Sequence, residues 1–538
     1  MDQFQSTLIV VLTLLAAVVG LSAFSARTRI PSPTLMILAG LVVALLPGQM
    51  HIALKPELVL MIFMPPILYG AAWDTTWHDF WRNIRPISLL AVGLVFATTA
   101  AVALVAKALI PGMPWAVAFV LGAIVSPPDA AAATAVCSKL RVPKRIITIL
   151  EGESLVNDAS GLIAYKFALA AAMTGVFSWG DAGIELVRAG IGGVAYGIVV
   201  GWIMSLIHKQ VKDANVATAL SLLAPYVAYV PAEAMHVSGV LAAVSAGIVV
   251  SWRSPQVLNA EGRLQARPVW EVLILLINGF LFIMLGVQID PILRGASAYS
   301  PGLLVTSCVL ISLTAILIRI AWVFPAAWIP RLLFPHIRRR EPTPRSGALA
   351  VIAWSGMRGS VSLAAALAIP ETISAHGGDT MPFPYRDLVV LLVFAVILST
   401  LVVQGLTLEP MIRKLDMEVG EDVECTTEIE ARSRAVLAGY EHLEKLGTPT
   451  SNEPEVAARV REQYEKRLEQ LKVAALLDRT ATAALETKAG VRARLELIGV
   501  ERRTIVAMRE SGEINDQLFR KLEKELDLDE IRLGQLLD

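Results

Sequence analysis

Leu121-Gly-Ala-Ile-Val-Ser-Pro-Pro-Asp129 and Val351-Ile-Ala-Trp-Ser-Gly-Met-Arg-Gly-Ser360 decide how this chain folds. Each begins as an apolar helix and is then cut short. Pro127 and Pro128 lack the backbone N–H that a helix interior needs, and their rings crowd the preceding turn. Gly356 and Gly359 bracket Met357 and Arg358, and each glycine weakens a helix by roughly 1 kcal/mol relative to alanine. Each break also carries a charge, Asp129 in one and Arg358 in the other. Interrupted helices at corresponding places in two halves of a chain point to an inverted-repeat membrane protein with its site at the midplane.

The surroundings of both breaks are apolar to the same degree. Thirteen stretches approach the ~20 residues that span a bilayer, from 7–24 to 386–408, with the breaks inside 113–136 and 346–369. The two breaks lie seven spans apart, an odd number, so the halves run in opposite senses. Hydrophobic residues make up 55% of the 538 and charged residues only 17%, against roughly a quarter in soluble domains. The first stretch has no small-residue cleavage site before Arg27, so it reads as a retained span and not a signal peptide. The short stretch 237–251 reads as either a span or a re-entrant segment. Basic residues fall in alternate loops: Arg27 and Arg29, Arg82 and Arg85, Lys139 to Arg145, Lys209 and Lys212, Arg253 to Arg267, Arg331 to Arg345, then Arg413 and Lys414. By the positive-inside rule, these loops are cytoplasmic and the N-terminus lies outside. The expected fold is an all-α polytopic inner-membrane protein. Cys137, Cys308 and Cys425 lack metal-ligand spacing, and no basic cluster interleaved with aromatics suggests nucleic acid.

Composition changes after Asp416. Residues 1–416 form the expected membrane domain. Residues 417–538 are rich in Glu, Lys, Arg, Leu and Ala, with helical spacing in 455–477 and 492–509. They read as a cytoplasmic helical domain that packs on itself or regulates the membrane part.

Five charges inside apolar stretches need a reason: Asp129, Glu153, Asp158, Arg319 and Arg358. Three acids and two bases leave one carboxylate without a permanent partner. Such a group can hold a proton or a hard cation, but not both, which is the least that coupled exchange requires. In Glu151-Gly-Glu-Ser-Leu-Val-Asn-Asp158, Ser154 and Asp158 share a helix face that Gly161 and Tyr165 continue. Glu153 points elsewhere and suits an ion pair.

These residues carry a family pattern. Gly122-Ala-Ile-Val-Ser-Pro-Pro-Asp-Ala130, Gly152-Glu-Ser-Leu-Val-Asn-Asp158, Ala232-Glu-Ala-Met-His-Val-Ser-Gly239, Asn278-Gly-Phe-Leu-Phe282 and Gly356-Met-Arg-Gly359 follow in order along the membrane part. The chain resembles the monovalent cation/proton antiporters, in the sodium/proton exchanger branch with the bacterial NhaP-type proteins. The resemblance implies a homodimeric thirteen-helix antiporter whose core moves like an elevator against a dimerisation domain. It implies no cofactor, with sodium (or potassium or lithium) and protons as cargo. It assigns Asp158 to competitive binding of cation and proton, with Asn157, Ser154 and Asp129 in the cation site. It pairs Glu153 with Arg319, and Asp129 with Arg358. The Asn157-Asp158 pair implies one-for-one exchange. Two positions depart from the pattern: Pro128 stands where relatives often have Thr, and Gly70 follows Met64-Pro-Pro-Ile-Leu-Tyr69 where some carry an acid.

Other readings compete. Asp129 and Asp158 on adjacent spans also fit an intramembrane aspartyl protease, although the Gly-x-Gly-Asp pattern is missing and both arginines go unexplained. Lys166, eight residues after Asp158, is expected at the membrane interface by snorkelling, with approach to the site as the alternative. Glu233 and His236 fall at the outer end of the eighth span.

Overall fold

The computed structural model describes residues 3–27, 31–44, 59–75, 77–140, 142–174, 179–258, 260–334, 344–374 and 380–417, plus isolated positions from Glu462 onward. The chain divides into two compact units, Met1–Val419 and Gly420–Asp538. The helices expected in 455–477 and 492–509 lie almost wholly outside the described residues.

The first unit is built of helices. α1 (Gln3–Arg27), α2 (Ser32–Ala44) and α3 (Met64–Asp74) come first, followed by α4 (Trp77–Arg82), α5 (Ile84–Ser88) and α6 (Val95–Leu109). Next come α7 (Trp115–Val125), α8 (Ala131–Lys139), α9 (Lys144–Thr174), α10 (Trp179–Gln210), α11 (Ala214–Ala234) and α12 (Gly239–Val257). The remainder are α13 (Ala260–Val287), α14 (Ile289–Gly295), α15 (Pro301–Leu333), α16 (Ser346–Trp354), α17 (Ser360–Leu367), α18 (Arg386–Ser399) and α19 (Gly405–Lys414). Among the described residues, six helical runs are long and apolar enough to cross a membrane, and five apolar helices are shorter.

Local chemistry accounts for the ends that matter. Asp213 caps α11 by accepting from the N–H groups of Asn215 and Val216, and Ser238 caps α12 by accepting from Leu241 at 3.2 Å. Most of the stretch 237–251 thus falls in one continuous capped helix of 19 residues, Gly239–Val257. One element departs from the all-helical expectation. Thr372–Ser374 and Thr380–Pro382 pair antiparallel, with Ile373 opposite Met381, in the connection between α17 and α18.

Buried side chains gather into two main clusters. The larger takes residues from α1, α2, α6, α7, α8 and α15 to α19; the smaller takes them from α3, α10, α11 and α12. Two helices serve both. α9 gives Ile146, Ile149, Leu150, Tyr165 and Ala168 to the larger cluster, and Leu155 and Ala159 to the smaller. α13 gives Phe282 to Leu285 to the larger, and Ala266 and Trp270 to the smaller. The middle of α9, where Asp158 sits, therefore lies on the seam between two apolar masses.

Candidate cation site between the interrupted helices

Both breaks are present. Helix stops at Val125 and resumes at Ala131, and it stops at Trp354 and resumes at Ser360. The two gaps meet, because the N–H of Asp129 donates to the carbonyl of Met357 at 2.7 Å. Such contact leaves no space at the second glycine, where a Cβ on Gly359 would run into the Asp129 carboxylate. A Cβ on Gly356 would strike the Arg319 side chain.

Backbone groups freed by the gaps find partners in side chains. Arg358, 2% exposed, donates from Nε to the carbonyl of Val125 at 2.8 Å and from Nη1 to that of Gly356. A cation thus sits at the C-terminal end of α7, where the last carbonyls concentrate negative partial charge. The N–H of Arg358 donates to Thr400 at 3.1 Å. Asn157, fully buried, donates from its amide to the carbonyl of Pro128 at 2.8 Å, and the N–H of Ala130 donates to the Ser154 hydroxyl at 3.3 Å. α9 therefore holds the first gap open through Ser154 and Asn157.

One expectation is revised here. Arg358 makes no ion pair with Asp129; its guanidinium is taken up by carbonyls of the two gaps, while the Asp129 carboxylate accepts from the N–H of Ala131 at 2.9 Å. Lys166, with its side chain 61% exposed, reaches Glu233 at 2.9 Å and links α9 to α11. Glu233 also accepts from the N–H of Gly239 at 3.1 Å, and His236 makes the intervening turn with a φ of 55°.

Glu153 and Arg319 form a bidentate pair, at 2% and 1% side-chain exposure, and Arg319 donates twice more to the carbonyl of Ile352. Breaking such a buried pair costs about 3–5 kcal/mol, since one charge is left uncompensated. These two are committed to each other.

A cavity of about 50 Å³ lies beside the crossing. Asp129, Ser154, Asp158, Asn278 and Ser362 supply its oxygen-bearing side chains, and Leu68 and Leu155 of the smaller apolar cluster close it. Carboxylate, hydroxyl and amide oxygens suit hard cations. Asp158 has neither a hydrogen bond nor an ion pair among the described residues. Asn157 does not line the cavity; its contribution is to fix Pro128. Asn278 was not among the expected site residues, although it is the single polar side chain between Glu271 and Gln288, and that alone marks it.

Residues 12–414 match the family described as sodium/hydrogen exchanger, transmembrane. This chain belongs to that family. An uncharacterised Na(+)/H(+) exchanger of Mycobacterium tuberculosis is 33% identical over 533 residues, covering 98% of this chain and 96% of the relative. A sodium, potassium, lithium and rubidium/H(+) antiporter of Bacillus pumilus is 33% identical over 418 residues, covering 76% of this chain and 61% of its own length. The solved sodium proton antiporter MjNhaP1 of Methanocaldococcus jannaschii shares the fold with a TM-score of 0.62 at 18% identity, over 77% of this exchanger and 99% of that chain. This kinship removes the protease reading, because the family is one of sodium/hydrogen exchangers.

Proposed function

We propose that this exchanger moves sodium against protons, one for one, by alternating access, with cation and proton competing for Asp158. The observation that carries this reading is the unpartnered Asp158 carboxylate on a cavity built from both helix breaks, while Glu153 and Arg319 neutralise each other nearby. A proton and a sodium ion each neutralise that carboxylate, and neither leaves room for the other's charge. Ser154, Asp129, Asn278 and Ser362 complete the oxygen shell, and Asn157 holds the gap in shape. With proline at position 128, backbone carbonyls and water stand in for the hydroxyl many relatives place there. Potassium and lithium are further candidates for the cargo.

Thirteen crossings, with the N-terminus outside and residues 417–538 in the cytoplasm, satisfy the distribution of basic loops. The crossing gaps support two inverted halves. The two apolar clusters support a mobile body and a static one meeting along α9 and α13, and a homodimer would hold the static one. Proton flux in inverted membrane vesicles tests the reading. Sodium added to wild type is expected to release a proton gradient, and Asp158→Asn is expected to abolish the response. Undiminished flux in the folded variant would move coupling away from Asp158.

A further inference from the structure

Asn278 stands apart from the other oxygen-bearing side chains at the cation cavity. Ser154 and Asp158 come from α9, Asp129 from the first break and Ser362 from α17, whereas Asn278 comes from α13. Ile274, Asn278 and Leu281 share one face of that helix. Ile274 packs on Gly70 of α3, where an added Cβ would lie 3.1 Å from Ile274 Cδ1. Leu281 clusters with Ala364 of α17. The face is therefore held against α3 and α17, which wall the cavity, and the amide between those two contacts lines it.

This amide is otherwise unused. Asn278 makes no side-chain hydrogen bond among the described residues, although its neighbours Ile277 and Gly279 are buried. An unpaired amide in an apolar helix is costly, so its partner is to be sought in the cargo.

The two cargoes make different demands of it. A proton is held by one carboxylate oxygen, and a neutral amide offers no second place for it. A sodium ion must exchange much of its hydration shell for oxygen dipoles, as cations do in carbonyl-lined filters. Its binding therefore grows with the number of oxygens gathered around Asp158, far more than protonation does. Ser154 already accepts from the N–H of Ala130 at 3.3 Å, whereas the Asn278 carbonyl is free to face a cation.

We propose that Asn278 is a cation-ligating residue that discriminates sodium from protons, its carbonyl oxygen strengthening sodium binding at Asp158 much more than proton binding. It thereby sets how much sodium is needed to outcompete protons at a given pH. The inference rests on the competition proposed above.

Flux in inverted vesicles, followed over sodium concentrations at several pH values, yields two quantities for each protein. One is the sodium half-saturation at low proton concentration; the other is the proton concentration that doubles it. Asn278→Leu keeps the branched shape, removes the oxygen and leaves no place for a water. It is expected to raise the first quantity roughly tenfold and to leave the second within about twofold of wild type. Asn278→Ala lets a water take the vacated place, so it is expected to shift the same quantity less, and it keeps the test open if leucine disturbs packing. Thermal midpoints check that both variants fold. An unchanged sodium half-saturation in the folded variants would overturn the assignment. So would an equal change in both quantities, because the amide would then act on the Asp158 carboxylate and not on the cation. A wild-type half-saturation indifferent to pH would overturn the competition itself, and this inference with it, a failure visible without any variant of Asn278.

Discussion

Gly359 has no freedom to become anything larger, because the space beyond its Cα is filled by the Asp129 carboxylate. Gly359→Ala is therefore expected to destabilise the protein by about 1–3 kcal/mol through overpacking. It should also slow transport, because the carboxylate it displaces lines the cation cavity. A lowered thermal midpoint together with reduced flux checks both parts; a wild-type melt would show that the crossing can relax. At this scale, the sequence announced the site wherever a charge stood in an apolar stretch, as with Asp158, Glu153 and Arg319. It was quieter about Asn278, which carries no charge and so stands out less against its neighbours. It was silent on the target of Asn157. That target is the carbonyl of Pro128, a group identical in every residue and brought close only by folding. The same holds for Arg358: its charge was legible, but the carbonyls that receive it were not.

Among elements, the breaks were readable because proline and glycine act locally, on their own turn. The π-helical turns were harder to read: Val59–Phe63 and Thr400–Gln404 contain neither proline nor glycine, and Leu89–Leu94 contains only Gly93. The short β-ribbon was hidden too, since three-residue strands carry no periodicity to read. The contact between α9 and α11 invites a measurement. Lys166 and Glu233 are 61% and 32% exposed, so their pairing is worth only about 0.2–1 kcal/mol. Glu233→Gln is nevertheless expected to cost more than Lys166→Met, because Glu233 also receives the N–H of Gly239. A double-mutant cycle on thermal stability should return a coupling within that range. Strict additivity would mean that the two side chains meet without stabilising each other.

At the scale of the membrane unit, two apolar masses share α9 and α13, and the proposed competition at Asp158 makes pH and sodium act on the same carboxylate. Lowering the pH fills Asp158 with protons, so the sodium concentration needed for half-maximal flux is expected to rise. Saturating sodium should restore the rate. Flux measured across sodium concentrations at several pH values checks this; a fall in maximal rate with unchanged half-saturation would place the proton elsewhere. The charges buried near the crossing also bear on membrane voltage. Counted by formal charge, Asp129, Glu153 and Asp158 against Arg319 and Arg358 leave one net negative charge, which a single proton or sodium ion removes. Voltage does no work on a neutral assembly crossing the field, whereas each uncompensated charge feels about 2.3 kcal/mol per 100 mV in addition to the cost of leaving water. On the proposed mechanism, a carrier returning without cargo is the one that the bilayer resists, so the same charge count would suppress slip and keep the sodium gradient from leaking away.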